Sequence, residues 1–162
     1  MSADVVAFIA NTHSQYEMSQ RLVDLLADYA VETVIHLGDV DDVNTPRLFR
    51  EFDFKAVYGN YDRPPSEIAD AVNQVGEHLG NEAILDYTGK QFFIFHGNNR
   101  QRAEAVADYP NGIQYVLHGF SHSVERESFD NGEVLCPGTG GAWVFYPQDD
   151  TFRYVGPVEA GA

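Results

Sequence analysis

Five strand-like runs in this chain stop at, or lead straight into, a residue able to bind a metal ion. Val5 to Ala10 leads to Asn11 and His13, and Thr33 to Leu37 leads through Gly38 to Asp39. A third run ends at Tyr58 before Gly59 and Asn60. Gln91 to His96 ends in a histidine, and Ile113 to His118 leads into Gly119 and His122. Short apolar runs of this kind suit strands buried on both faces. In open α/β sheets, ligands bind beyond the carboxyl ends of such strands. A lone histidine at a strand end is usually a structural hydrogen-bonding residue. Five such stops in chain order, each beside a glycine or small residue, point to one shared site.

The segments between the runs complete an α/β pattern. Ser14 and Glu17 read as a capping box, opening a helix that carries Met18, Leu22, Leu25, Leu26 and Tyr29 at helical spacing. A short helix is expected over Val43 to Glu51, and another from Pro65 toward Leu79. Three hairpins follow: Ala83 to Tyr87 with Gln91 to His96, Val124 to Phe129 with Glu133 to Leu135, and Trp143 to Tyr146 with Thr151 to Val155. Arg100 to Asp108 reads as a helix stopped before Pro110. A βαβαβα start followed by mostly antiparallel strands predicts two mixed β-sheets packed as a sandwich and flanked by helices. No linker-like stretch interrupts residues 1–162, so one domain is expected.

With these residues in view, the chain resembles the calcineurin-like metallophosphoesterase superfamily, in particular its small phosphodiesterase branch. Asn11-Thr12-His13 resembles the family's Asp-x-His, Gly38-Asp39 its Gly-Asp, and Gly59-Asn60-Tyr61-Asp62 its Gly-Asn-x-Asp. His96-Gly97 resembles His-Gly, and Gly119-Phe120-Ser121-His122 resembles Gly-His-Thr-His. Cys136-Pro137-Gly138-Thr139 resembles the Asn-Pro-Gly-Ser loop. The resemblance implies a divalent-metal-dependent phosphoesterase in which a hydroxide held by one or two ions attacks phosphorus. It further implies that Asn11, His13 and His122 hold one metal, Asn60 and His96 hold the other, and Asp39 bridges them. Asp39, Asn60 and His96 would carry the catalysis of a small phosphate ester. Manganese is the expected ion, with zinc, nickel or iron also compatible with imidazole donors. Asp41, Asp42 and Asp62 are candidates for orienting histidines, and Arg63, Arg100 and Arg102 for holding phosphate.

Two metal-ligand positions depart from the pattern. Asn11 stands where the family has a charged aspartate, and Phe120 stands where it has a ligand histidine. Phe120 is expected to line the pocket, and should the chain bind no metal its ring would fill the vacated second-metal position. His118 precedes it by two residues and replaces it only if the chain bends. The second metal is then held weakly. The alternative reading is a catalytically degenerate fold serving as a binding or scaffold module, as in the phosphoesterase-like subunit of the retromer coat.

Charge narrows the partners. Twenty-five acidic residues against ten basic ones give a formal net charge of −15. Such a surface repels nucleic acid and anionic membranes. Depleted lysine with heavy acidity resembles proteins of salt-loving archaea, the alternative being a merely acidic mesophilic protein. No apolar run is long enough to cross a bilayer, and Val5 to Ala10 lacks the flanks of a signal peptide, so a cytoplasmic location is expected. Cys136 is the only cysteine, so neither an intrachain disulfide nor a cysteine-based zinc cluster is expected.

Overall fold

The computed structural model describes residues 4–60, 62, 64–97 and 100–158, with Arg100 described by its backbone alone. β1 (Val6–Ile9), β2 (Thr33–His36), β3 (Asp53–Ala56) and β4 (Gly76–His78) run parallel. β10 (Ala142–Tyr146) pairs antiparallel with β1, and β11 (Thr151–Val155) pairs antiparallel with β10. Together they form a six-stranded sheet in the order β11-β10-β1-β2-β3-β4. The second, five-stranded sheet has the order β5-β6-β7-β9-β8. It consists of β5 (Glu82–Tyr87), β6 (Lys90–Phe95), β7 (Tyr115–His118), β8 (Glu125–Ser128) and β9 (Glu133–Cys136). Both sheets are mixed, as the alternation of crossover helices and hairpins predicts.

Three apolar layers hold the sheets and helices together. Between the sheets, Phe8, Ile35 and Phe145 meet Phe92, Tyr115 and Leu117. Phe8 and Phe92 stack with ring centroids 5.7 Å apart. On the outer face of the first sheet, α1 (Tyr16–Asp28) buries Leu22 and Leu26 against Ala7, Ile9 and Val34. The outer face of the second sheet packs Phe93, Val116 and Val134 against Ala103 and Ala107 of α3 (Arg100–Asp108). Alternate residues of a strand face opposite ways. That is why Val116 faces α3 while Leu117 faces the other sheet.

Three local expectations change. The capping box does not form: α1 is capped at Gln15, without a side-chain bond, because the chain is still turning at His13, where φ is 51°. Ser14 therefore sits one residue too early. The helix expected over Val43 to Glu51 is a single 3-10 segment, Thr45–Phe49. The helix from Pro65 ends at Asn73 as α2, and the residues that follow add β4 beside β3. Gly76 permits this, because a Cβ there would lie 1.9 Å from the Phe54 carbonyl oxygen. A period-based reading extends a helix through such a residue, since the close approach is made by another strand.

Candidate metal centre

The loops at the carboxyl ends of β1, β2, β3, β6 and β7 converge. Their backbone is unusual for L-residues: φ is 57° at Asn11, 51° at His13, 63° at Asp39 and 57° at Asp41. Left-handed geometry at non-glycine residues costs of the order of 1 kcal/mol each and gathers at functional sites. The β2 and β3 loops also pack too closely for any side chain at Gly59, where a Cβ would stand 2.3 Å from the Asp39 carboxylate.

Asp39 is buried at 3% exposure, and its Oδ2 lies 3.3 Å from Nε2 of His96. The other ring nitrogen, Nδ1, donates to the Leu37 carbonyl at 2.9 Å. That bond fixes the ring so that Nε2 faces the carboxylate. Burial alone would lower the His96 pKa, but the hydrogen bond and charge of Asp39 outweigh it and raise it. His96 Nε2 and the Asp39 carboxylate thus flank a place where a cation can sit.

Asp62 does not orient a histidine. It accepts the backbone N–H groups of Asp39 at 3.0 Å, Gly59 at 2.7 Å and Asp41 at 2.7 Å. Burial raises its pKa, partly opposed by these bonds. One carboxylate thus ties the Asp39 loop to the Asn60 loop. Asp41 meets His13 Nδ1 at 3.4 Å, whereas Asp42 accepts the hydroxyl of Tyr16.

His13 and His122 lie side by side, rings 6.3 Å apart and 10° from parallel. Nδ1 of His122 is 3.1 Å from the Thr139 hydroxyl, so the Cys-Pro-Gly-Thr loop orients this histidine. Asn11, 1% exposed, donates its amide to the carbonyls of Gly119 at 3.1 Å, Ser121 at 3.2 Å and Gly138 at 3.5 Å. Those three acceptors fix which end of the amide is nitrogen. Its Oδ1 is buried with no hydrogen-bond partner among the described residues. An orphaned buried acceptor costs about 1–3 kcal/mol, and a bound cation would relieve it. The donors present therefore fit a divalent metal.

Asn60 is exposed and shares a groove of about 320 Å³ with His96, Tyr58, Asn81, Glu82 and Arg102. Arg102 is held by Glu82, with nitrogen–oxygen distances of 2.6 and 2.8 Å, and lies over the rings of Phe93 and Phe95. Arg63 and the Arg100 side chain lie outside the described residues. Phe120 is 39% exposed rather than an enclosed plug. Its backbone N–H donates to Nδ1 of His118 at 3.3 Å, where the strand ends and the chain turns outward. His118 itself points to the α3 side of its sheet, away from Asp39, by the alternation of β7.

His36 was not legible as part of this region. It is fully buried, accepts the Gly38 N–H at Nδ1 and meets the Thr12 hydroxyl at 2.8 Å through Nε2. The ring is therefore neutral and ties the β1 loop to the β2 loop. Burial, chiefly, lowers its pKa to about 3 from 6.5. A depressed folded-state pKa stabilises the fold above the unfolded value, and this is lost as pH falls toward the folded one. Wild-type stability should drop by about 1.4 kcal/mol per pH unit from this group below pH 6.5. Denaturant melts at pH 7, 5 and 4 should show a shallower acid slope for His36→Gln. Equal slopes would remove His36 from the account.

Residues 5–155 match the model of the calcineurin-like phosphoesterase superfamily domain. A phosphodiesterase of Methanocaldococcus jannaschii is 24% identical over 137 residues, covering 82% of each chain. A solved archaeal phosphodiesterase superposes with a TM-score of 0.84 at 20% identity, over 93% of this chain and 98% of that one. Vacuolar protein sorting 29 of Cryptosporidium parvum shares the fold at a TM-score of 0.61 and 15% identity, over 96% and 97% of the two chains.

Proposed function

Because the chain belongs to the calcineurin-like phosphoesterase superfamily, we propose that it is a divalent-metal-dependent phosphodiesterase acting on a small phosphate ester. One observation carries the reading. The Asp39 carboxylate and His96 Nε2 face each other 3.3 Å apart, and His96 shares its groove with Asn60.

Asn11 Oδ1, His13, His122 and Asp39 would hold one ion, and Asp39, Asn60 and His96 a second, more weakly held because Phe120 brings no donor. When bound, such ions polarise a phosphoryl oxygen and acidify a water. Everything else falls to the chain's own side chains. Asp39 supplies the one anionic group of the set, balancing cationic charge without water around it. Leu37 and Thr139 hold the rings of His96 and His122 in place. Asn60 and Asn81 line the groove with amides able to donate to phosphoryl oxygens. Arg102, neutralised by Glu82, contributes less charge than a free arginine. The mixture of amide oxygen, carboxylate and imidazole suits manganese.

Metal analysis of the purified protein, with bis(p-nitrophenyl) phosphate hydrolysis in added Mn²⁺, tests the reading. Bound divalent metal and Mn²⁺-dependent turnover are expected. A chain that binds no divalent ion and is inert would instead be a binding module on a phosphoesterase fold.

We further propose a salt-rich cytoplasmic setting, supported by the excess of acidic residues. Among the described residues no helix is long and apolar enough to cross a membrane. A formal charge of −15 is self-repulsive unless screened, and the Debye length shrinks to about 3 Å at 1 M salt. The melting temperature should rise by about 5 °C or more between low and molar KCl, equivalent to ~2 kcal/mol for a domain of this size. No rise would remove the halophilic setting.

A further inference from the structure

A second cluster of donors lies on the other face of the second sheet. His118, Glu125 and Cys136 bring one ligand atom each to within 4.8 Å of one another. Their placement follows from strand register. Leu117 pairs with Leu135 across the parallel β7·β9 ladder, so the next step sets His118 beside Cys136. Cys136 pairs directly with Glu125 on β8. The three residues thus form one row across three neighbouring strands. Val116 and Val134, two residues earlier on β7 and β9, face α3, so His118 and Cys136 face that side too. Phe95 extends the row from β6 as an apolar wall. His118 and Cys136 are buried and Glu125 is half-buried at the edge strand.

We infer that this row is a second metal site, distinct from the Asp39 centre and selective for a thiophilic ion such as zinc. Imidazole, carboxylate and thiolate together favour Zn²⁺ over Mn²⁺ or Mg²⁺, and three protein ligands leave a fourth position for water. The Asp39 centre has only nitrogen and oxygen donors. Loading the ion releases the thiol proton of Cys136 to solvent. With the ion on Nε2 of His118, the single ring proton sits on Nδ1, so the contact from the Phe120 N–H opens. The ion would act on the loop that links His118 to His122, and so on the position of a ligand of the main centre.

Cobalt(II) tests this with the full chain, because Cys136 is its only thiol. Any sulfur-to-cobalt charge-transfer band in the near ultraviolet then reports Cys136. The band is expected in the wild type and in Asp39→Asn. It should vanish in Cys136→Ser and need at least about tenfold more cobalt in Glu125→Gln. Glu125 is half-buried, so its variant serves even if Cys136→Ser fails to fold. Zinc should displace the cobalt and bleach the band. Cobalt bound without a thiolate band overturns the site. A band abolished by Asp39→Asn but unchanged by Glu125→Gln overturns it equally, since the thiol would then belong to the main centre.

Discussion

Asp39→Ala should lower diester hydrolysis by about 10²–10³-fold or more, a loss comparable to removing one key group that stabilises transition-state charge. Asp39 is the only carboxylate in the proposed ligand set, and it stands at 3% exposure where water cannot replace its charge. Its removal also leaves His96 Nε2 without the acceptor now 3.3 Å away. Alanine is strained at φ 63°, so Asp39→Asn is the better-matched variant, because asparagine tolerates that backbone. Both should lose bound metal while keeping the fold, since Asp62 still accepts the residue 39 amide. Circular dichroism, metal content and turnover measured together decide the matter. A folded Asp39→Asn protein with more than half of wild-type turnover would sink the proposed centre.

Restoring the family pattern at residues 11 and 120 should have two opposite effects. In Asn11→Asp, a carboxylate oxygen replaces the amide nitrogen that now faces carbonyls at 3.1, 3.2 and 3.5 Å. Without metal the variant should be less stable by about 1–3 kcal/mol, the scale of a buried polar group that loses its partners. Added Mn²⁺ should restore the loss, because the new charge then lies against a dication. Phe120→His adds a nitrogen donor to the second site and takes nothing from the core, since the ring is already 39% exposed. The two changes together should raise hydrolysis of bis(p-nitrophenyl) phosphate by about tenfold or more, beyond the sum of the single effects, because ligands of coupled sites do not act independently. Thermal melts with and without Mn²⁺ would be compared with initial rates. An Asn11→Asp protein equally stable with and without metal would show that Asn11 faces no cation.

Much of this molecule was legible in its sequence, and the reason is local. Apolar runs of strand length, an amphipathic α1, and turn residues such as Thr88-Gly89 between β5 and β6 act over a few residues. They set both the alternation of elements and the points where polar residues leave the strands. Asn11, His13, Asp39, Asn60, His96 and His122 could be singled out because they follow such ends directly. What the sequence could not supply depends on atoms brought together from distant segments. β4 exists because Gly76 lets a strand approach Phe54. The role of Asp62 arises from backbone groups on the Asp39 loop, distant in sequence, and the neutrality of His36 from complete burial. The row of His118, Glu125 and Cys136 is set by the pairing of three strands. Periodicity places a residue on a face. Only packing decides which groups from elsewhere share that face, and hence which polar atoms find partners and which are held for a ligand.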